Sequence, residues 1–306
     1  MPTPQSAICA PTGRFGLFLT LRLRQGGGRT VRQAAAALPA LTAELARNLG
    51  VPSLTSAIGI GAQAWPQIFV GPPPAGLAPF PALAEGTRQA PATPGDILVH
   101  IHSDQHDANF LLARQVMAAL ADSVERVDET HGFRYREGRD LTGFMDGTEN
   151  PQGEARAVVA LVAPEADLRL AGGSYLSVQR YVHDLARWET LSPHQQEETI
   201  GRTRDTDEEL ADDLKPASAH IARVVIEEDG EELEILRHSM PYGSTAECGL
   251  YFVAYCNNPH TFRKMLTRMI QADDAGPADR LLDFTRAVSG VSVFVPSVEM
   301  LERSGS

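Results

Sequence analysis

The order of secondary-structure elements in the first half of the chain follows from where its apolar residues fall. Apolar and polar residues alternate over Phe15–Leu23, which is typical of a strand, and Ala and Leu recur at helical spacing over 31–49. The next five segments predict a β-rich stretch, a Pro/Gly loop, a strand, a helix and a last strand, at 56–69, 71–81, 96–102, 107–120 and 124–135. The order βαββαβ is that of a ferredoxin-like unit, in which an antiparallel sheet carries its helices on one face.

A similar order of elements begins again after a turn-rich segment at 143–152. The patterns predict strands at 155–162, 174–182, 249–256 and 291–295, a hairpin of 222–226 with 232–236, and helices at 185–199, 260–271 and 279–287. We therefore expect an α+β protein of two ferredoxin-like βαββαβ units with antiparallel sheets, residues 1–152 and 153–306.

Composition narrows the class of protein. Among 306 residues there are 39 Asp and Glu but 27 Lys and Arg, a formal net charge of −12. Because nucleic acids and anionic membranes attract basic surfaces, neither is an expected partner. Cys9, Cys248 and Cys256 are too few for a disulfide framework. With no signal-peptide pattern and no run of about 18 apolar residues, the chain is expected to be cytoplasmic.

The most unusual local sequence is LTGFMDGTENP, at 141–151. Gly143 and Gly147 flank Asp146 closely enough to predict a tight turn that holds the carboxylate at a fixed angle between the two halves. From the residues alone, a second interpretation is equally open: Asp146 caps its own turn through a side-chain hydrogen bond.

This motif resembles the G-F-x-D-G signature of dye-decolourising peroxidases, a haem-dependent family of duplicated ferredoxin-like domains. Four more segments resemble family blocks in family order, at 172–185, 217–226, 235–243 and 281–297. The compact length is similar to the bacterial B-type group. The resemblance implies one non-covalent haem b per chain, bound mainly in the C-terminal half.

The same resemblance implies a ligand for the haem iron. His220, within ASAHIARVVI, would be the proximal ligand, since imidazole is a competent axial ligand of haem iron. Asp283, in LLDF, would accept a hydrogen bond from the second ring nitrogen of His220. The alternatives are a histidine that is hydrogen-bonded to a backbone carbonyl and an exposed helix carboxylate.

On the distal side, the resemblance assigns catalytic roles to Asp146 and Arg237. A carboxylate can move the proton that O–O cleavage requires, and a guanidinium can stabilise the departing oxygen. Ser239 stands where related sequences often carry asparagine, and it is expected to hydrogen-bond peroxide with shorter reach. Arg202 is expected at a haem propionate, and Gly147 against the haem together with Asp146 and Arg237. His238 is expected on the opposite face of its strand.

These assignments imply an enzyme that reduces hydrogen peroxide through an oxo-ferryl haem and oxidises dyes, phenolics or similar one-electron donors. A non-enzymatic haem or iron carrier or sensor with the same fold is the alternative. Glu149, Glu209 and Glu232 could bind Mn(II), although solvated carboxylates are the simpler interpretation. The resemblance further implies a homo-oligomer, a dimer or larger, while the short segment after the last strand argues against packaging in an encapsulin shell.

A metallohydrolase is a rival hypothesis. His100 and His102 lie two apart on a predicted strand, hence on one face, with Asp104 and His106 close behind. Such a cluster can bind zinc or iron.

Overall fold

A computed structural model describes residues 1–305. Its first half comprises α1 (Ser6–Cys9), β1 (Phe15–Leu23), α2 (Gly28–Leu49), β2 (Thr55–Ile60), α3 (Trp65–Ile68), β3 (Leu83–Glu85), β4 (Arg88–Ala90), β5 (Ile97–Ser103), α4 (His106–Leu120) and β6 (Val124–Phe133). Its second half comprises α5 (Ala155–Ala160), β7 (Ser174–His183), α6 (Leu185–Trp188), α7 (Pro193–Ile200), α8 (His220–Val224), β8 (Glu227–Glu228), β9 (Glu231–Glu232), β10 (Leu236–Arg237), β11 (Met240–Gly243), β12 (Cys248–Cys256), α9 (Pro259–Ile270), β13 (Thr285–Ala287), β14 (Val291–Val295) and α10 (Val298–Gly305). Short 3₁₀ turns lie at Ala121–Ser123 and Arg280–Asp283.

The main sheet closes on itself. Its strands follow the order β6-β1-β5-β2 in the first half of the chain, which we call the first sheet. They follow the order β11-β12-β7-β14 in the second half, which we call the second sheet. Each order is that of a ferredoxin-like unit, so the predicted fold class is confirmed. The two units join at both edges, through Tyr242 opposite Gly132 and Phe294 opposite Ile60. All pairings in the ring are antiparallel.

Strand alternation divides the apolar residues into two main cores. One core lies where α2, α4 and α10 cover the first sheet. The other gathers alternate residues of the ring strands, among them Phe18, Val178, Tyr251 and Val293. The remaining face of the second sheet carries Gln179, Tyr181, His183, Leu250 and Phe252, which line a cavity. No helix within 1–305 is long and apolar enough to cross a bilayer.

Two predicted strands are helices in the structure, because each buries an arginine that bonds to carbonyl groups. The segment 155–162 contains α5, where Arg156 donates to the carbonyls of Cys9 and Ala10. The segment 222–226 overlaps α8, where the fully buried Arg223 donates to the carbonyl of Arg268. A hydrophobicity pattern does not reveal such inward-facing cations.

Three other predictions were wrong in part, two of them because caps interrupt the pattern. The predicted helix at 185–199 divides into α6 and α7, since Ser192 forms a capping box with Gln195 and Pro193 begins the second helix. The predicted helix at 279–287 is a 3₁₀ turn capped by Asp279, followed by β13. The end of the β-rich stretch at 56–69 is the short helix α3, and β11 and α10 were not foreseen.

Candidate active site

A cavity of ≈ 290 Å³ lies between the outer face of the second sheet and the segments that cover it. α8 and α9 form one part of its wall, and the loop before α5 forms another. Apolar side chains predominate in the lining, with a few polar groups among them, which is the usual character of a small-molecule site. Its apolar members include Phe144, Val224, Leu233, Ile235, Leu250, Phe252, Met265, Met269 and Leu281.

His220 lies at the start of α8 and lines this cavity. Its Nδ1 donates to Oδ2 of Asp279 across 2.6 Å, and the Asp279 side chain is completely buried. No group within residues 1–305 hydrogen-bonds to Nε2. The bond to Asp279 therefore fixes the ring and its tautomer and leaves Nε2 free to act as a ligand.

The sequence-based choice of Asp283 as the acceptor for His220 is wrong. Asp283 binds Arg88 of β4 at 2.8 Å. Asp279 takes the role because it caps the 3₁₀ turn, with Oδ1 bonded to the N–H of Leu281 and Oδ2 left for His220. The sequence predicted a helix over 279–287, which does not form. The directions of the Asp279 and Asp283 side chains therefore could not be inferred from helical geometry.

Asp146 and Arg237 both line the cavity and form an ion pair, with 3.7 Å between Oδ1 and Nη1. Gly147 follows with a φ of +88°, which is strained for any residue with a side chain, as the tight-turn prediction requires. No main-chain N–H within 1–305 donates to the Asp146 carboxylate, so the self-capping interpretation is not supported. Burial raises the pKa of Asp146, Arg237 opposes that rise, and Asp140 adds to it.

Asn150 aligns the Asp146 loop with the strand of Arg237, and sequence reasoning missed it. Its Oδ1 accepts from the N–H of Arg237 at 2.8 Å, and its Nδ2 donates to the carbonyl of Arg237, also at 2.8 Å. One amide thus satisfies both main-chain groups of Arg237. Its place within GFMDGTENP was the available signal.

Two other predicted residues do not line the cavity. The hydroxyl of Ser239 accepts a hydrogen bond from the N–H of Val253 on β12. Arg202 uses its guanidinium to bind Glu149 at 2.9 Å and Asp207 at 3.0 Å. Ser239 therefore lies outside the cavity wall, and the guanidinium of Arg202 is already engaged by two carboxylates.

His100, His102 and His238 form a buried cluster, with ring centroids between 5.0 and 5.6 Å apart. His238 thus faces away from the cavity, as alternation with Arg237 predicts. Burial lowers the pKa of all three imidazoles, and that of His102 falls to about 4. Asp104 instead accepts from a backbone N–H at the surface.

The structure does not support the rival hypothesis of a metal centre at His100, His102, Asp104 and His106. His106 of the same motif contacts His131, away from the buried cluster. Among residues 1–305, no group of three His, Cys, Asp or Glu side chains is spaced to hold a metal ion.

The three glutamates considered for Mn(II) lie near the cavity. Glu149 and Glu232 are among its lining residues, and the pKa of Glu232 is raised by burial and by neighbouring carboxylates that include Glu149 and Glu209. Glu149 is paired with Arg202, however, and Glu209 with Lys215.

Two protein-family models together match almost the whole chain. The model described as Dyp-type peroxidase, N-terminal, matches residues 5–134, and the model described as Dyp-type peroxidase, C-terminal, matches residues 137–300. The chain belongs to the Dyp-type peroxidase family. Members of this peroxidase family are oxidoreductases that act on hydrogen peroxide.

Individual relatives of this DyP-type chain are similar over most of their length. A dye-decolorizing peroxidase from Rhodococcus erythropolis is 41% identical over 99% of this chain and 89% of its own. The encapsulated DyP-type peroxidase from Mycobacterium smegmatis is 41% identical, with a TM-score of 0.95 over 99% of this chain and 98% of that one. A variant of DypB from Rhodococcus jostii, solved in complex with heme, is 40% identical, with a TM-score of 0.94 over 99% of both chains.

Proposed function

We propose that this chain is a haem b peroxidase that reduces hydrogen peroxide and oxidises dyes, phenolics or similar one-electron donors. One observation carries the proposal: a histidine whose Nδ1 is fixed by a buried carboxylate leaves its Nε2 free in an apolar cavity that also holds an Asp–Arg pair. The heme complex of the Rhodococcus jostii relative supports the choice of cofactor.

The lining residues fit a haem. His220 Nε2 would bind the iron, and the apolar side chains would contact the porphyrin. The propionates need cationic or polar partners. Arg202 would have to release Glu149 before it could bind a propionate. Arg263, by contrast, lines the cavity, is exposed and has no acidic partner within residues 1–305.

When bound, the haem supplies an iron that takes up peroxide and carries the redox chemistry. Asp146 would accept the proton from one peroxide oxygen and return it to the other, which leaves as water. Arg237 would stabilise the negative charge on the departing oxygen and orient Asp146. Asp279 would keep Nδ1–H of His220 hydrogen-bonded, which makes the imidazole more electron-donating. Two one-electron donors complete the cycle.

The deciding experiment is reconstitution with hemin, followed by absorption spectra before and after one equivalent of hydrogen peroxide. We expect a histidine-ligated ferric spectrum that changes with peroxide, and a perturbed spectrum in His220→Ala. A matched control is His194→Ala, which alters an exposed histidine of α7. Haem binding without any peroxide reaction would favour the carrier, and absence of haem uptake would contradict both.

For Mn(II), the supporting observations are the acidic side chains near the cavity and a DypB variant solved in complex with manganese, 40% identical with a TM-score of 0.92 over 97% of both chains. Oxidation of Mn(II) by this chain stays a prediction, and it would require Glu149 to release Arg202 first. If this chain oxidises Mn(II), we expect Mn(II)-dependent turnover that is lost in Glu232→Gln, while dye oxidation persists.

We further propose a division into two units near residue 152, and a cytoplasmic homo-oligomer. The three free thiols are compatible with a reducing compartment. Val70 and Leu168 are 94% and 76% exposed beside one shallow cleft, and an interface between subunits would bury them. Light scattering on the purified protein would give the number of subunits.

A further inference from the structure

A second carboxylate, Asp140, lines the cavity in the same loop as Asp146, and the mechanism above does not use it. Its Oδ2 accepts from the hydroxyl of Thr142 at 2.6 Å and from the N–H of Thr142 at 3.1 Å. Its main chain closes the same turn, since its N–H donates to the carbonyl of Phe144 and its carbonyl accepts from Gly143. Asp140 thus shapes the turn that leads to Asp146.

The other oxygen of Asp140 connects this turn to the sheet. Nε2 of His183, at the end of β7, donates to Oδ1 across 3.1 Å. Nδ1 of His183 contacts the hydroxyl of Thr285 on β13 at 2.7 Å. The side chains of His183 and Asp140 are only 5% and 13% exposed. A chain of buried hydrogen bonds therefore runs from two strands to the loop of Asp146.

Asp140 also carries a negative charge at neutral pH. Burial alone would raise its pKa, but His183 and Thr142 outweigh that effect and lower it to about 2. Besides burial, the groups that affect the pKa of Asp146 are Arg237 of β10 and His220 of α8, which lower it, and Asp140 of its own loop, which raises it. Of these, Asp140 alone favours the protonated form of Asp146.

We propose that Asp140 is a positioning residue for Asp146: held by Thr142 and His183, it fixes the loop that carries Asp146 and supplies the negative charge beside which Asp146 takes up a proton. The proposal rests on the peroxidase function. If Asp146 is the base that receives the proton of peroxide, its pKa sets the pH below which the peroxide reaction slows.

The test is Asp140→Asn in the haem-loaded enzyme, with the rate constant for the reaction with hydrogen peroxide measured by stopped flow across the acidic range. Removal of the negative charge should lower the pKa of Asp146, so the midpoint of the acidic limb should move to lower pH by about one unit. In parallel, infrared titration of the protonated carboxyl band, assigned by its loss in Asp146→Asn, should show the same shift.

Two controls separate charge from loop structure. Thr142→Val removes a hydrogen bond to Asp140 but keeps its charge, so it should lower the rate and leave the midpoint in place. Asp212→Asn removes the charge of a side chain that is 98% exposed and should change neither. An unmoved midpoint in Asp140→Asn, or an equal shift in Asp212→Asn, would overturn the proposal. If the wild type does not react with peroxide, the peroxidase function fails, and the infrared midpoint still decides the role of Asp140.

Discussion

Acidification should destabilise this protein through the histidine cluster between its two sheets. His102 is buried and is bonded to the hydroxyl of Thr55. Burial is the main cause that lowers its pKa from 6.5 to about 4, the charge of Arg156 adds to this effect, and the carbonyl of Ala7 opposes it. The unfolded chain therefore binds a proton at His102 below about pH 6.5, while the folded chain binds it only near pH 4.

The size of the effect follows from these two values. Between them the unfolded state holds more protons, so the free energy of unfolding falls as the pH falls through this window. Going from about pH 7 to about pH 5, His102 alone should remove about 2 kcal/mol. His100 and His238 have pKa values lowered in the same direction, so they can only add to the loss.

The assay is urea unfolding at both pH values, in the same cofactor state, for the wild type and His102→Gln. Glutamine keeps hydrogen-bonding groups but does not titrate, so the variant should lose about 2 kcal/mol less on acidification, whatever its stability near neutral pH. His194→Gln, at a side chain that is 77% exposed, should behave as the wild type. An equal loss in the wild type and His102→Gln would refute this account of the cluster.

Three further changes test the site. Asp279→Asn should lower haem affinity or peroxide reactivity by about 10- to 100-fold, read from hemin titration and stopped flow, whereas Asp283→Asn should leave both unchanged and cost at most about 1 kcal/mol in urea unfolding. Arg237→Leu should slow the peroxide reaction by about 100- to 1000-fold while hemin titration still shows full binding. Asn150→Ala should cost about 1–3 kcal/mol of stability in urea unfolding, because it leaves both main-chain groups of Arg237 without a partner. The same variant should react more slowly in a peroxide assay.

The period of the hydrophobic pattern located every strand of the ring except β11. β1, β7, β12 and β14 lie within about a residue of their predicted bounds, because their apolar residues recur at strand spacing between clear turn residues. It failed where a polar side chain determines the local structure. Arg156 and Arg223 face inward to bind carbonyl oxygens, and a hydrophobicity pattern treats them as surface residues.

For the candidate site too, the sequence identified some residues and missed others. Motif resemblance identified Asp146, Arg237 and His220 because they are set in recognisable local sequence, and the structure places all three in the lining of one cavity. Asp279 and Asn150 each form two side-chain hydrogen bonds, whose directions depend on a capped turn and on the alignment of a loop with a strand. Spacing along the chain does not determine those directions.

Two adjacent residues, Arg237 at the end of β10 and His238 directly after it, connect the histidine cluster to the cavity. Arg237 faces the cavity, and His238 faces His100 and His102. Protonation of the cluster would place positive charges against each other and near Arg156, whose guanidinium lies 3.4 Å from His238. Because His238 directly follows Arg237, a displacement of His238 that relieves the repulsion would also move Arg237. Acid inactivation should therefore have two separable parts: a reversible loss that follows Asp146 and moves with Asp140→Asn, and a loss of structure that follows the cluster and is reduced by His102→Gln.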